Sequence, residues 1–429
     1  MGRGRRSWTA AVLAAVLGCC LLLAGCSLGS SAGTGGGQVT ITYAMWQTNL
    51  TDYMKERIAS FEAANPNIHV ELKTYADYQN APGQYWQDMN AASREDLPDV
   101  FQMNALHVQE YQKAGKLLEL DDLISGEKGI SVDHFPDSLT RIYEVDGRQY
   151  GIPIDYDTIG LWYNKDLFDK AGVAYPTRSW TWEDFTGAAR KINALGGGVH
   201  GFIAGNQDQL GYYNTVAACG GTIVQDDRFG FDDEKTQAGI QYWVDLTKVS
   251  PTLEEIDASG GPHMLFMQGK AGMVFGGDWE AADFTGSDST VASVINVTEM
   301  PTMPNGKKGT VIHGKANVIS AGTKHAEEAK KFLTFLSAPE SYEKLGATGK
   351  CIPAYADYAD TFFGLYPQYD MGIFAREAVE YGAPFPSSSL TGWSEVVVEK
   401  MTPILKGTVS VRDGCAQIMD ALNAKAKGK

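Results

Sequence analysis

Basic residues are in deficit. Over 429 residues, 36 Lys and Arg stand against 52 Asp and Glu, a formal charge of −16. Nucleic-acid binding needs clustered Lys and Arg to displace counterions, so that class of partner is excluded. Docking on anionic lipid through a basic face is excluded with it. Long apolar runs are missing too: only one stretch approaches membrane length, which rules out a multi-span membrane protein. Catalytic signatures are absent, with no GxSxG elbow, HExxH, Walker A loop or kinase set. Gly346-Ala347-Thr348-Gly349-Lys350 has the wrong glycine spacing for a phosphate cradle. Asn206 and Asp208 open like a calcium loop, but Leu210 and Ala217 stand where later ligands are needed. Cysteine is scarce, six in all, and shows neither CxxC nor Cys/His spacing, so no zinc site, and no other metal or cofactor, is expected.

What is present is a globular composition, 44% hydrophobic and 21% charged, long enough for two or three domains of ~100–200 residues. The amino terminus sets the compartment. Arg3, Arg5 and Arg6 precede an uncharged stretch over 10–25, the layout of a signal peptide. It closes on Leu23-Ala24-Gly25-Cys26, which resembles the lipobox of bacterial lipoproteins. The resemblance implies cleavage before Cys26, a diacylglycerol on its thiol, and a new amino group open to acylation, by palmitate for example. Residues 1–25 are then the signal peptide. Residues 26–37, rich in Gly and Ser, have no apolar groups to bury and read as a flexible tether.

Three cysteines remain beyond Cys26. Disulfides persist outside the cytoplasm. Cys219 and Cys351 both sit beside loop signals (Cys-Gly-Gly and Cys-Ile-Pro) and are the candidate pair, with Cys415 left over; three buried free thiols is the alternative.

Along the folded part, Val39-Thr40-Ile41-Thr42-Tyr43 alternates apolar and polar, a strand signal. Asp52 is a candidate cap for a helix carrying Met54, Ile58 and Phe61, which Asn65-Pro66 ends. Ile68 to Leu72 alternates again, so the chain opens strand–helix–strand, the mark of a βαβ unit with a parallel sheet. Thr181 with Asp184 reads as a capping box before Trp182, Phe185, Ala189 and Ile192. Ala271 to Phe275 is a short apolar strand ending in Gly276-Gly277, and the carboxyl third reads as mostly helical.

The positive chemical signal is aromatic. Trp46, Trp86, Trp279 and Trp393, with Tyr156, Tyr212 and Tyr213, stand beside loop residues. An aromatic ring covers the C–H face of a sugar while Asp, Asn and Gln side chains pair with its hydroxyls. Trp162, Trp180, Trp182 and Trp243 are expected in the core.

The order of motifs is more specific than any one of them. Asp52 to Val70 (DYMKERIASFEAANPNIHV), Pro98-Asp99-Val100, Gly115 to Leu120, Tyr150 to Phe168 (YGIPIDYDTIGLWYNKDLF), Trp180 to Phe185, Gly272 to Trp279 and Val318 to Glu340 follow in series. The series resembles bacterial extracellular solute-binding proteins of the sugar-binding, maltose-binding-protein-like group; residues 354–392 fit least well. The resemblance implies an α/β fold of two lobes with a hinge, an interlobe cleft and a helical carboxyl-terminal region. It places crossings near 156–159, near 297–302 and after Leu336. Lobe one is then 38–157 plus 300–338, and lobe two is 158–299 plus 339–429.

Carried over residue by residue, Asp157 falls on a hinge-side acid that bonds sugar hydroxyls. Trp279 falls on a stacking Trp of lobe two, preceded by Asp278, and Trp393 near a second stacking aromatic. Trp46 and Gln47, after the first strand, should face the cleft. Asn104 is a polar candidate where relatives often carry an aromatic or an acid. Tyr156, Tyr212 and Tyr213 are wall candidates, and His313 and Gly314 are expected near the hinge. Tyr163-Asn164-Lys165 is read as structural. The function implied is a monomeric, lipid-anchored extracytoplasmic receptor that binds an oligosaccharide and delivers it to the permease subunits of an ABC importer, with no catalytic residue. A receptor for a non-sugar solute and a secreted glycoside-cleaving enzyme are the alternatives.

Overall fold

A computed structural model describes residues 37–75, 84–124 and 129–428. The signal peptide over 1–25, Cys26 and the tether up to residue 36 lie outside the described residues. Two sheets organise the chain. The first has five strands in the order Ile68–Thr74, Val39–Met45, Val100–Asn104, Lys315–Ile319 and Gly151–Pro153. The opening βαβ unit is as read: Val39–Met45 pairs in parallel with Ile68–Thr74, and Thr51–Ala64 between them buries Met54, Ile58 and Phe61. Asp52 does not cap that helix; it sits in the first turn, where a negative charge complements the helix dipole. The sheet is mixed rather than parallel, because Lys315–Ile319 returns antiparallel to both its neighbours.

The second sheet has four strands, Ile295–Thr298, Gly160–Asn164, Ala271–Gly276 and His200–Phe202. Its helix Trp182–Asn193 starts at the expected capping box, in which Thr181 and Asp184 satisfy each other's backbone N–H groups. Trp162 and Trp243 are buried to 0% and 1% exposure, and Trp182 packs on Phe185 and Tyr242, so three of the four tryptophans assigned to packing are core residues; Trp180 is only partly buried, against Phe168. Asn164 caps the helix Lys165–Ala171 by accepting from the Leu167 N–H, the structural role read from the sequence.

Three passages of chain join the lobes. In the first, Asp155–Tyr156 pairs with Ile352–Pro353, and Asp157 and His313 exchange both backbone hydrogen bonds at 2.9 and 3.0 Å. The second runs through His313 toward Lys315–Ile319. It begins later than the expected 300, because Thr310–Ile312 stays on lobe two: it pairs with Gly382–Pro384, and Asn214 accepts from the Val311 N–H. The third is later again. The helix Pro339–Gly346, expected in lobe two, packs on lobe one, where Ser341 O accepts from Tyr53 and Tyr342 donates to Pro153 O at 2.6 Å. The chain reaches lobe two only near Tyr369, whose ring lies 5.5 Å from Trp162. Gln38–Lys429 forms one compact unit.

Candidate functional site

A cavity of about 500 Å³ lies between the sheets, against the hinge. Lobe one supplies Trp46, Gln47, Thr48 and Asn49, just past the strand Val39–Met45, and Asn104 at the end of Val100–Asn104. These are carboxyl ends of parallel strands, where ligands of such sheets bind. The hinge supplies Asp155, Tyr156, Asp157, His313 and Lys315, with Lys350 and Cys351 beside them. Lobe two supplies Gln209, Asp278, Trp279, Ala282 and Asp283.

The aromatic walls are held differently. The Trp46 ring is 3% exposed and packs at 4.9 Å from Tyr85 and 5.4 Å from Trp86; its backbone N–H donates to Gln102 Oε1. Trp279 follows the strand Ala271–Gly276 and is only partly buried. Its ring folds back over Gly277, where an added Cβ would lie 1.9 Å from ring carbon, so a side chain there would displace the ring.

The floor is charged. Lys315 Nζ meets Asp155 Oδ2 at 2.6 Å, and the Lys315 backbone N–H donates to Asp155 Oδ1. Burial alone would depress the Lys315 ammonium, but Asp155 and Asp157 outweigh it and hold that group above its ordinary range. Asp157 accepts from Gln209 Nε2 and lies 3.6 Å from His313 Nδ1. Asp278 is 1% exposed, with one carboxyl oxygen buried and unpaired. Burial first, then the charges of Asp157 and Asp155, push its carboxyl well above the carboxylate range. Such a wall offers donors and acceptors in every direction between two rings. Among the described residues no cluster of His, Cys, Asp or Glu could hold a metal ion.

Of the residues read from the sequence, Trp46, Gln47, Asn104, Tyr156, Asp157, Asp278, Trp279 and His313 all line the cavity. Four do not. Tyr212 and Tyr213 are core residues, edge to face at 5.1 Å, with Tyr213 packed on Phe385; the residue of that segment that reaches the cavity is Gln209. Trp393 is 2% exposed and packs on Phe229 at the start of the helix Trp393–Leu405. Gly314 lies behind the wall: a Cβ there would come within 2.2 Å of Asp155 O, and its carbonyl accepts from Tyr143. The candidate disulfide is also overturned. Cys219, Cys351 and Cys415 are all free; Cys219 ends the helix Tyr213–Cys219, whereas Cys351 stands on the cavity wall. Asp155, Lys315, Lys350 and Cys351 were missed. The pairing of Asp155–Tyr156 with Ile352–Pro353 assembles them across about 200 positions of sequence, and only the spacing of Asp155 and Asp157 hinted at it.

A family profile described as bacterial extracellular solute-binding protein matches residues 47–343. The arabinooligosaccharide-binding protein of Bacillus subtilis is 24% identical over 335 residues, 76% of this chain and 75% of that protein. Among solved structures, an ABC substrate-binding protein of Listeria monocytogenes in complex with cycloalternan superposes with a TM-score of 0.77 at 23% identity, covering 91% of this chain and 99% of that one. The GacH receptor of Streptomyces glaucescens, solved unliganded and with acarbose, gives 0.73 at 20% identity, covering 91% and 99%. The fold is the two-lobed one those structures share, with a hinge and an interlobe cleft. The match over 47–343 takes in the second sheet, four of the five strands of the first and most of the cavity wall, and the chain belongs to the bacterial extracellular solute-binding protein family, as an extracytoplasmic binding protein rather than an enzyme.

Proposed function

We propose that the protein is a receptor for an oligosaccharide, which it takes into the cleft between Trp46 and Trp279 and hands to the permease of an ABC importer. The observation that carries the reading is the wall itself: two indole rings on opposite lobes, with Gln47, Asn104, Asp157, Gln209 and Asp278 between them. Rings cover C–H faces, and amides and carboxyl groups pair with hydroxyls. The volume suits a ligand larger than one sugar ring. The named ligands of the relatives, arabinooligosaccharide, cycloalternan and acarbose, support the same class. Only a closed cleft lets both lobes touch the ligand, so the ligand favours closure. The anchor is the lipid on Cys26, and the receptor acts as a monomer.

Mass spectrometry of what purified protein releases on denaturation identifies the ligand, and calorimetry with that compound measures its affinity. Small-angle scattering should show a smaller radius of gyration on binding. Release of a peptide or polyamine would replace the sugar reading, and new reducing ends during a long incubation would refute the receptor. Cys26→Ala should free the protein from the membrane or stall it unprocessed; unchanged membrane attachment would overturn the anchor.

A further inference from the structure

Outside the cavity wall, Glu280 and Glu377 are buried acids with no ion pair among the described residues, and only Glu377 stands at the hinge. Glu377, on the helix Gly372–Glu380, is 0% exposed and forms no ion pair among the described residues. It stands at the lobe-two end of the hinge. Its Oε1 accepts from the Met300 N–H at 2.9 Å and from the Tyr381 hydroxyl at 2.9 Å. Its Oε2 lies 3.2 Å from Thr158 Oγ1. Thr158 follows Asp157 in the first passage between lobes, and Met300 stands on lobe two just past the strand Ile295–Thr298, so one side chain holds that passage to lobe two.

The hydrogen count bears on its protonation. Thr158 Oγ1 has a single hydrogen, and its shorter contact, 3.0 Å, is with Phe374 O, which can only accept. Both contacts draw on that one hydrogen, and a proton on Oε2 would give each of them its own donor. The surroundings agree. Glu299, next in space, has Arg178, Lys308 and Arg376 at 3.3, 2.8 and 3.3 Å. Those cations serve Glu299, and its charge opposes a second one on Glu377. The other ionisable group facing Glu377 is Tyr381, on the adjacent turn; Glu380 points to Arg178. Burial above all raises the Glu377 carboxyl to about 8, with Glu299 adding to the rise while Met300, Tyr381 and Thr158 oppose it.

We propose that Glu377 is a proton-dependent tie at the root of the hinge: as the neutral acid it clasps Thr158 to Met300, and as its proton is lost the first passage loosens from lobe two. The sign follows from linkage. The tied state keeps a proton that an opened, solvated carboxyl releases, so opening becomes easier as pH rises from about 5 to about 8 and levels off beyond.

The test is hydrogen–deuterium exchange on the intact mature protein between pH 5.5 and 9.5, corrected for intrinsic rates. In peptides covering 157–161 and 298–302, the wild-type opening constant should climb by up to about tenfold per pH unit and flatten near pH 8. Glu377→Gln should be flat, since its amide reproduces the neutral acid: Oε1 accepts from Met300 and Nε2 donates to Thr158. Glu377→Ala should be open at every pH. A wild-type profile without this climb overturns the tie whether or not either variant folds. So does a climb retained in Glu377→Gln, or one that appears equally in peptides around Glu280, the other buried acid raised to about 8.

Discussion

Trp46 and Trp279 face one cavity from opposite lobes, yet they belong to different kinds of structure. Trp46 stands in a run of rings, Tyr85, Trp86, His107 and Tyr111, that continues into the lobe-one core. Trp279 leans on the bare backbone of Gly277 and is followed by a buried acid, Glu280. One wall is the edge of a core; the other is a side chain laid over a turn. A tryptophan in a binding site can therefore hold up its lobe or merely cover the ligand, and the two roles separate by measurement.

The largest effect should come from Trp46→Ala. Removing a buried indole from that cluster should cost ~3–5 kcal/mol of stability and weaken binding as well. Thermal melts and calorimetry report the two losses, and a Trp46→Ala protein that melts like wild type would erase the distinction. Trp279→Ala comes next, with ~2 kcal/mol or more of binding, roughly thirty-fold in affinity, lost with little change in melting. Trp182→Ala, from the core of the same lobe, is the stability control. If Trp279→Ala binds like wild type, its ring is packing and the cleft is misplaced.

The third prediction concerns the acid beside Trp279. Burial, then the charge of Asp283, raises Glu280 to about 8 against a hydrogen bond from Trp279. The folded state then keeps a proton that the unfolded chain releases above its ordinary carboxyl range. Stability from this group should fall as pH rises from about 5 to about 8, by at most about 1.4 kcal/mol per unit. Glu280→Gln should flatten that part of the melting profile, and an unchanged slope would show that Glu280 is ionised in the fold. The smallest effect is at the rim, where the lobes meet through polar groups. Lys113 Nζ donates to Ser389 Oγ at 2.8 Å, and Thr391 donates to Glu110 at 2.7 Å. Such exposed contacts carry ~0.2–1 kcal/mol. Lys113→Ala should speed ligand release a few-fold in stopped flow while leaving the cavity wall intact; an unchanged rate would make the contact incidental.

The strands and helix of the opening βαβ unit, the capping box at Thr181 and the structural role of Tyr163-Asn164-Lys165 were legible because each is decided by residues within a turn or two. The cavity residues that follow a strand, Trp46 and Trp279, were legible for the same reason. Tyr212 and Tyr213 were misread because an aromatic beside loop residues looks alike whether it faces a cleft or a helix, and here the helix Glu234–Leu246 lies against that segment. The charged floor was invisible. Asp155, Lys315 and Cys351 are brought together by strand pairings of long range, and no local pattern encodes them. The late third passage went unread for a similar reason: Tyr53 and Tyr342 fix Pro339–Gly346 on lobe one through contacts far apart in sequence.

The three passages also bear on what a second protein can learn from this one. Two bodies joined by a single linker can translate and rotate in every direction. Joined by three side-by-side passages, two of them hydrogen-bonded to each other through Asp157 and His313, they keep little freedom beyond bending about one axis. A change anywhere in the cleft is thereby reduced to one coordinate, the angle between the lobes. A partner that spanned both lobes far from the cavity would meet that angle rather than the solute itself.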